Sequence, residues 1–194
     1  MVNQPYKIIY ADPPWQYNFP NTRSDATPDD YSTMKTAEIC ALPISKIADE
    51  NCLLFIWGIW PKLKDCMEVI KAWGFDYKTV AFVWVKTKKN AAVDQLGFFP
   101  ADSFEEFFGM GNWTRSNTEF CLLAGKGRVE RQSAAVRQII YAPVQEHSRK
   151  PAETRDRIIQ LVGDLPRVEL FARQRHEGWH VWGNEVESDV ELAA

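Results

Sequence analysis

The sequence predicts an α/β domain with a mostly parallel sheet and helices on both of its faces. Three observations carry that expectation. Apolar runs of strand length recur along the chain, and some are continuous enough for strands covered on both sides. Helix-length stretches with apolar residues at helical spacing lie between them. The 194 residues suit one domain, 1–194, with a sizeable core, and no apolar run approaches the length of a membrane span.

In chain order, Lys7 to Tyr10 is a short apolar run halted by Pro13 and Pro14, which reads as a buried strand. Cys52 to Trp57 is a second run, continuous in the manner of a central parallel strand. Pro61 then opens a helix with Leu63, Met67, Ile70 and Trp73 on one face, closed by Gly74. Val80 to Val85 and Glu119 to Ala124 are the third and fourth strands, and Ile139 to Ala142 is the fifth. Pro151 to Val162 is a helix ended by Gly163, and it leads into a strand over Val168 to Phe171. Trp57, Trp60 and Trp73 fall within these patterns and are assigned to the core. Two stretches stand outside the sheet pattern. Asn18 to Tyr31 is polar and proline-bearing, and 87–117 is long enough to be a target loop or lid. Its 94–108 segment sets five phenylalanines among acidic residues, which suits a contact with a second copy or a heteromeric partner.

Apolar residues form 45% of the chain and charged residues 25%, a globular composition that excludes disorder. Cys40, Cys52, Cys66 and Cys121 lie far apart without a Cys-x-x-Cys pair, so they read as small buried hydrophobes in a reducing compartment, not as a metal site. The first residues carry no basic segment followed by an apolar stretch, so a soluble cytoplasmic protein is expected, without a membrane partner. A net charge of −3 does not attract polyanions as a whole-molecule field. Any nucleic-acid contact must therefore come from a local basic face, for which Lys86, Lys88, Lys89, Arg128, Arg131 and Arg137 are the candidates. Eight Trp, eleven Phe and six Tyr exceed what a core of this size needs, and planar side chains also stack on bases.

Asp12-Pro13-Pro14-Trp15 directly follows the first strand. Ligands of open α/β sheets bind beyond the carboxyl ends of strands, so the position matters. The prolines fix the backbone and remove two donors, which leaves outward carbonyls beside the Asp12 carboxylate: acceptors and no donors. Such a cluster suits an exocyclic amino group, with Trp15 as a flat wall for the ring that bears it. A capped strand-ending turn is the bland reading of the same residues.

The Ala11-Asp12-Pro13-Pro14-Trp15 unit resembles the catalytic motif of the MT-A70 family of adenine amino-methyltransferases, and further blocks extend the resemblance from about Lys7 to Glu185. It implies S-adenosylmethionine as cofactor and a circularly permuted Rossmann-like fold, since the catalytic motif precedes the cofactor strand. Asp12, Pro13, Pro14 and Trp15 would carry catalysis. Tyr31, Trp84, Lys86, Trp113 and Glu119 match family positions on the substrate side. Asp12, Ser148, Lys150, Phe171, Arg173, Asn184 and Glu185 match positions on the cofactor side, with Lys150 reaching the cofactor carboxylate and Glu185 standing where glutamine is usual. The partner implied is nucleic acid, DNA in preference to RNA. The same chemistry on RNA, a non-catalytic subunit beside an active partner, and a small-molecule methyltransferase stay open as alternatives. Accepting both N–H bonds of adenine through Asp12 and the Pro13 carbonyl would turn the amino lone pair toward the sulfonium methyl, with positioning and charge stabilisation lowering the barrier. A base in a duplex would have to be flipped out to reach the site.

His176-Glu177-Gly178-Trp179-His180 also fits the H-E-x-x-H zinc pattern. That chemistry needs both histidines on one face of a stable helix, and Gly178 followed by Val181-Trp182-Gly183 argues for a turn and strand instead.

Overall fold

The computed structural model describes residues 5–16, 33–88, 107, 109, 113–145 and 149–192. Their backbone builds a seven-stranded sheet from β1 (Tyr6–Ala11), β2 (Ala48–Gly58), β3 (Asp76–Thr87), β4 (Thr118–Lys126), β5 (Ile139–Pro143), β6 (Arg167–Leu170) and β7 (His180–Trp182). The helices are α1 (Thr36–Cys40), α2 (Leu63–Ala72) and α3 (Glu153–Val162). The spatial order is β5-β3-β4-β2-β1-β6-β7. Strands β1, β2, β6 and β7 pair in parallel, as do β3 and β5, while β4 runs antiparallel to both β2 and β3. The chain thus folds as a Rossmann-like sheet, with one reversed strand inserted between parallel neighbours.

Strand alternation separates two cores. Ile9, Ala11, Leu54, Ile56, Phe120 and Leu122 face α1 and α2, where Ile39, Cys66, Val69, Ile70 and Trp73 close the layer. Ile8, Tyr10, Phe55, Trp57, Phe82, Trp84 and Cys121 face the other way, onto Ile158 and Val162 of α3. Each fully buried aliphatic or aromatic side chain here contributes about 1.5–3 kcal/mol through removal from water. Cys52, Cys66 and Cys121 lie inside these cores, and Cys40 is partly covered. None of the helices among the described residues is long and apolar enough to cross a membrane.

Three expectations need correction. The buried stripe of α2 is Cys66, Val69, Ile70 and Trp73, an i, i+3, i+4, i+7 set, while Leu63 and Met67 are each 39% exposed. The small Cys66 allows this close approach: a Cβ on Gly58 would overlap its sulfur and the Phe120 ring. Trp60 is 44% exposed rather than core, because it sits in a 3₁₀ turn just past the end of β2. The six candidate cations do not share a face. Lys86 ends β3 beside the start of β4, whereas Arg128 follows the far end of β4, where its N–H donates to Asn51 at the opposite edge. Arg131 follows Arg128, and Arg137 precedes the first residue of β5, which also lies toward that opposite edge. Lys89 lies outside the described residues, as do Asn18 to Tyr31 and most of 87–117.

Candidate active site

The register of the parallel strands delivers chemistry to one edge. Ala11 pairs with Ile56 and Leu170, and Leu170 pairs with Trp182. Asp12, Trp57, Phe171 and Gly183 therefore leave the sheet at the same level. Because β4 is reversed, its first residues, Thr118 and Glu119, arrive at this edge as well, with Glu119 opposite Trp84 of β3.

Asp12 opens a tight turn. The Trp15 N–H donates to the Pro13 carbonyl at 2.9 Å across Pro14, a three-residue turn that the ring-fixed φ of proline favours. The Met34 N–H donates to the Pro14 carbonyl at 2.8 Å, and Gln16 returns a bond to Met34, so this turn is pinned to the segment before α1. The expectation that these carbonyls stand unpaired is thus corrected: each already accepts one backbone donor and offers its second lone pair. The Trp15 indole donates to the Trp57 carbonyl at 3.0 Å, and the Trp57 indole donates to the Tyr10 hydroxyl at 2.7 Å. The ring of Trp15 is fixed at the end of β2 by these contacts.

Four charged side chains alternate in sign along the edge. Lys150, just ahead of α3, sits 2.9 Å from Asp12 and 3.2 Å from Glu119, and Lys86 meets the other oxygen of Glu119 at 2.5 Å. Lys150 and Glu119 are nearly enclosed, while the Asp12 side chain keeps 27% of its surface open. Lys150 also lies 5.9 Å over the Trp57 ring, and Lys86 lies 5.1 Å over Trp84, attractive placements for a cation. The two carboxylates respond differently. Burial pushes the Asp12 carboxyl above its usual range, and the pull of Lys150 only partly offsets it. Burial acts on Glu119 in the same direction, but Lys150 and Lys86 together outweigh it and hold the group below its usual range. Burial alone would lower Lys150, and the two carboxylates reverse that and raise it.

Beside this row opens a shallow, solvent-open cleft, lined by Tyr10, Asp12, Lys150, Phe171, Arg173 and Gln174. Its floor holds Arg155 of α3, which grips Glu169 of β6 with two bonds of 2.8 and 2.6 Å and lies 5.5 Å over Tyr10. Phe171 adopts φ 61, a left-handed backbone that costs a side-chain-bearing residue about 1–2 kcal/mol. Its edge-to-face contact with Trp182, centroids 5.3 Å apart, offsets part of that cost. Asn184 and Glu185 form the turn after β7, and Glu185 comes within 3.7 Å of Arg173 at the mouth of the cleft. This turn depends on Gly183, where a Cβ would press into the Ala172 backbone. Gly183→Ala is expected to cost about 1–3 kcal/mol and to weaken ligand binding in the cleft, which thermal melts and equilibrium titration measure.

Of the residues singled out in the sequence, Asp12, Lys150, Glu119, Lys86 and Trp84 come together, and Phe171, Arg173 and Glu185 gather at the cleft. The Trp84 ring is fully buried, with its N–H on the Ala142 carbonyl, so it supports Lys86 from beneath. Trp113 is 99% exposed. Tyr31 and Ser148 lie outside the described residues. Arg155 and Glu169 were missed, although a glutamate inside the apolar strand Val168 to Leu170 was a usable signal. The H-E-x-x-H residues make a turn at Gly178, φ 72, leading into β7. His176 contacts Gln174 and His180 contacts the Tyr6 hydroxyl, so the two imidazoles do not share a helix face.

A family model described as MT-A70 matches residues 6–185. The chain is 32% identical over 200 residues to the type II methyltransferase M.MunI from Mycoplasma sp., covering 93% of this chain and 78% of that protein. It is 28% identical over 184 residues to the N(6)-adenosine-methyltransferase MT-A70-like protein of Arabidopsis thaliana, of which it spans 24%. It is also 28% identical to the human N(6)-adenine-specific methyltransferase METTL4, of which it spans 37%. Each of these two alignments covers 93% of this chain.

Proposed function

Because this chain belongs to the MT-A70 family, we propose that it transfers a methyl group from S-adenosylmethionine to the exocyclic amino group of adenine in nucleic acid, with DNA preferred. The observation that carries the reading is the partly exposed Asp12 carboxylate, which joins a proline-fixed turn to the cleft beside β6. The chain acts as one catalytic unit on this reading, and the turn after β1 works together with the cleft beside β6.

The donor set of the cleft suits the cofactor. Arg149 and Lys150 match a carboxylate, and Arg173 with the neighbouring Asn184–Glu185 turn matches ribose hydroxyls. When bound, S-adenosylmethionine supplies an electrophilic methyl group on a positively charged sulfur. The chain's own residues do the rest. Asp12 accepts one amino N–H, and the second lone pair of the Pro13 carbonyl accepts the other. This frees the nitrogen lone pair from conjugation with the ring and aims it. As positive charge grows on the nitrogen, the Asp12 carboxylate stabilises it from a fixed position, and the proton that the methylated nitrogen sheds passes to that carboxylate and on to solvent. Lys150 holds that carboxylate in place and Glu119 holds Lys150, so neither has to reorganise during the reaction. Trp15 supplies the wall against which the ring stacks.

The DNA preference draws on the Mycoplasma type II methyltransferase, spanned over 78% of its length, against 24% for the Arabidopsis adenosine methyltransferase. Matched single-stranded and duplex oligonucleotides of DNA and RNA, each with one adenine, test it through methyl incorporation. Higher kcat/KM on DNA is the expected result, and higher kcat/KM on RNA reverses the substrate assignment. A second reading, a non-catalytic subunit beside an active partner, predicts no incorporation by the isolated chain into any of them.

A further inference from the structure

Trp57, Trp73, Trp84 and Trp179 are all between 0 and 5% exposed, yet Trp60 shows 44% of its surface to solvent. It is not loosely held. Its indole N–H donates to the Thr118 hydroxyl at 2.8 Å, and its ring meets that of Phe120 at a tilt of 60°, centroids 5.0 Å apart. The ring is thus anchored against the core, its polar edge is satisfied, and its remaining aromatic surface is held in a fixed orientation.

Its location is equally specific. Thr118, which anchors it, directly precedes Glu119 of the charged row. Trp15 and Trp60 both pack on the side of the sheet that carries α2, through the core that includes Phe120. In register, Trp57 is the residue level with Asp12, and Trp60 follows three residues later, a rise of at most roughly 10 Å at strand spacing. That is the scale of one or two nucleotides along an extended strand.

We infer that Trp60 is a stacking platform for a base flanking the target adenine, so that the strand is held by two tryptophans, Trp15 under the target and Trp60 under its neighbour. This rests on the reading of the site as an adenine methyltransferase of nucleic acid. A stacked base needs a preset aromatic face and no hydrogen-bond code, which is what an N–H-satisfied, anchored indole offers. The contact is tolerant of sequence and applies equally to a DNA or an RNA strand.

The test uses fluorescently labelled single-stranded oligonucleotides carrying one adenine, in DNA and in RNA, with and without an abasic spacer beside that adenine. Trp60→Ala is expected to weaken binding on the order of ten- to a hundredfold, with Trp60→Phe in between. Thermal melts of both variants identify any loss caused by misfolding. The abasic spacer should weaken the wild-type protein by a similar factor and Trp60→Ala no further, while kcat at saturating strand stays within a few-fold. Equal affinities of the wild type and a folded Trp60→Ala overturn the inference, as do additive losses from variant and spacer. So does a change of assembly state with strand binding unaltered, which would assign Trp60, Leu63 and Met67 to a protein contact. A wild-type protein that neither binds nor methylates either strand removes the underlying reading, and the platform with it.

Discussion

Lys150→Met is expected to lower the melting temperature by roughly 6–12 °C, since stranding a buried charge costs about 3 kcal/mol and a chain of this size loses about 2–4 °C per kcal/mol. The cause is local. Lys150 is the cation shared by Asp12 and Glu119, and Met fills its volume without its charge. Two carboxylates would then face each other without the cation that bridges them. The effect has a pH signature. Glu119 sits below its usual range when folded, so its contribution is present above its unfolded pKa and is lost as pH falls through the folded value. Lys150 is raised, so its contribution is present below its unfolded pKa and is lost as pH rises through the folded value. The wild-type advantage over Lys150→Met is therefore largest between those limits and shrinks in acid, where Glu119 takes up a proton. Melting curves across pH measure it directly. An advantage that grew toward acid would contradict the arrangement.

Asp12→Asn is expected to reduce kcat by about 10²–10³-fold while leaving cofactor affinity within a few-fold, because the lost charge matters most when nitrogen becomes cationic. The Asn side chain keeps the shape and one acceptor, so the substitution separates charge from geometry. Stability should fall far less than in Lys150→Met. Burial already raises the Asp12 carboxyl, which means that the folded chain holds this group ionised at a cost above its folded pKa. The acid limb of the rate follows the same sign. Activity should drop as pH falls through the folded value of Asp12, above the ordinary aspartate range, and the limb should move further upward in Lys150→Met. Rate profiles against pH for the wild type and Lys150→Met check both statements.

The parts of the fold written as apolar runs were legible in the sequence. Lys7 to Tyr10 and Cys52 to Trp57 form strands because nothing but burial on both faces accommodates such continuous stretches. The position of Asp12 followed from Pro13 and Pro14, which end the strand at the one edge where ligands bind. What stayed hidden depended on direction and distance. The reversal of β4 follows from a long intervening stretch whose length constrains neither direction, and this reversal brings Glu119 to the site while sending Arg128 away. The helix α1 has five residues, too few for a periodic pattern. The positive φ of Phe171 was unreadable because that conformation ordinarily advertises itself through glycine. Trp60 was hidden for the opposite reason. Its neighbours made it look like part of a core that in fact ends at Gly58.

The position of the transferred methyl group decides whether the Asp12 turn serves the amino group of adenine. After incubation of an adenine-containing oligonucleotide with methyl-labelled S-adenosylmethionine, the strand is digested and its nucleosides are separated and weighed. Label on the exocyclic nitrogen of adenine is expected with the wild-type protein, and label reduced to near background with Asp12→Ala. Label on a ring nitrogen or on another base, or equal labelling by Asp12→Ala, would contradict that role.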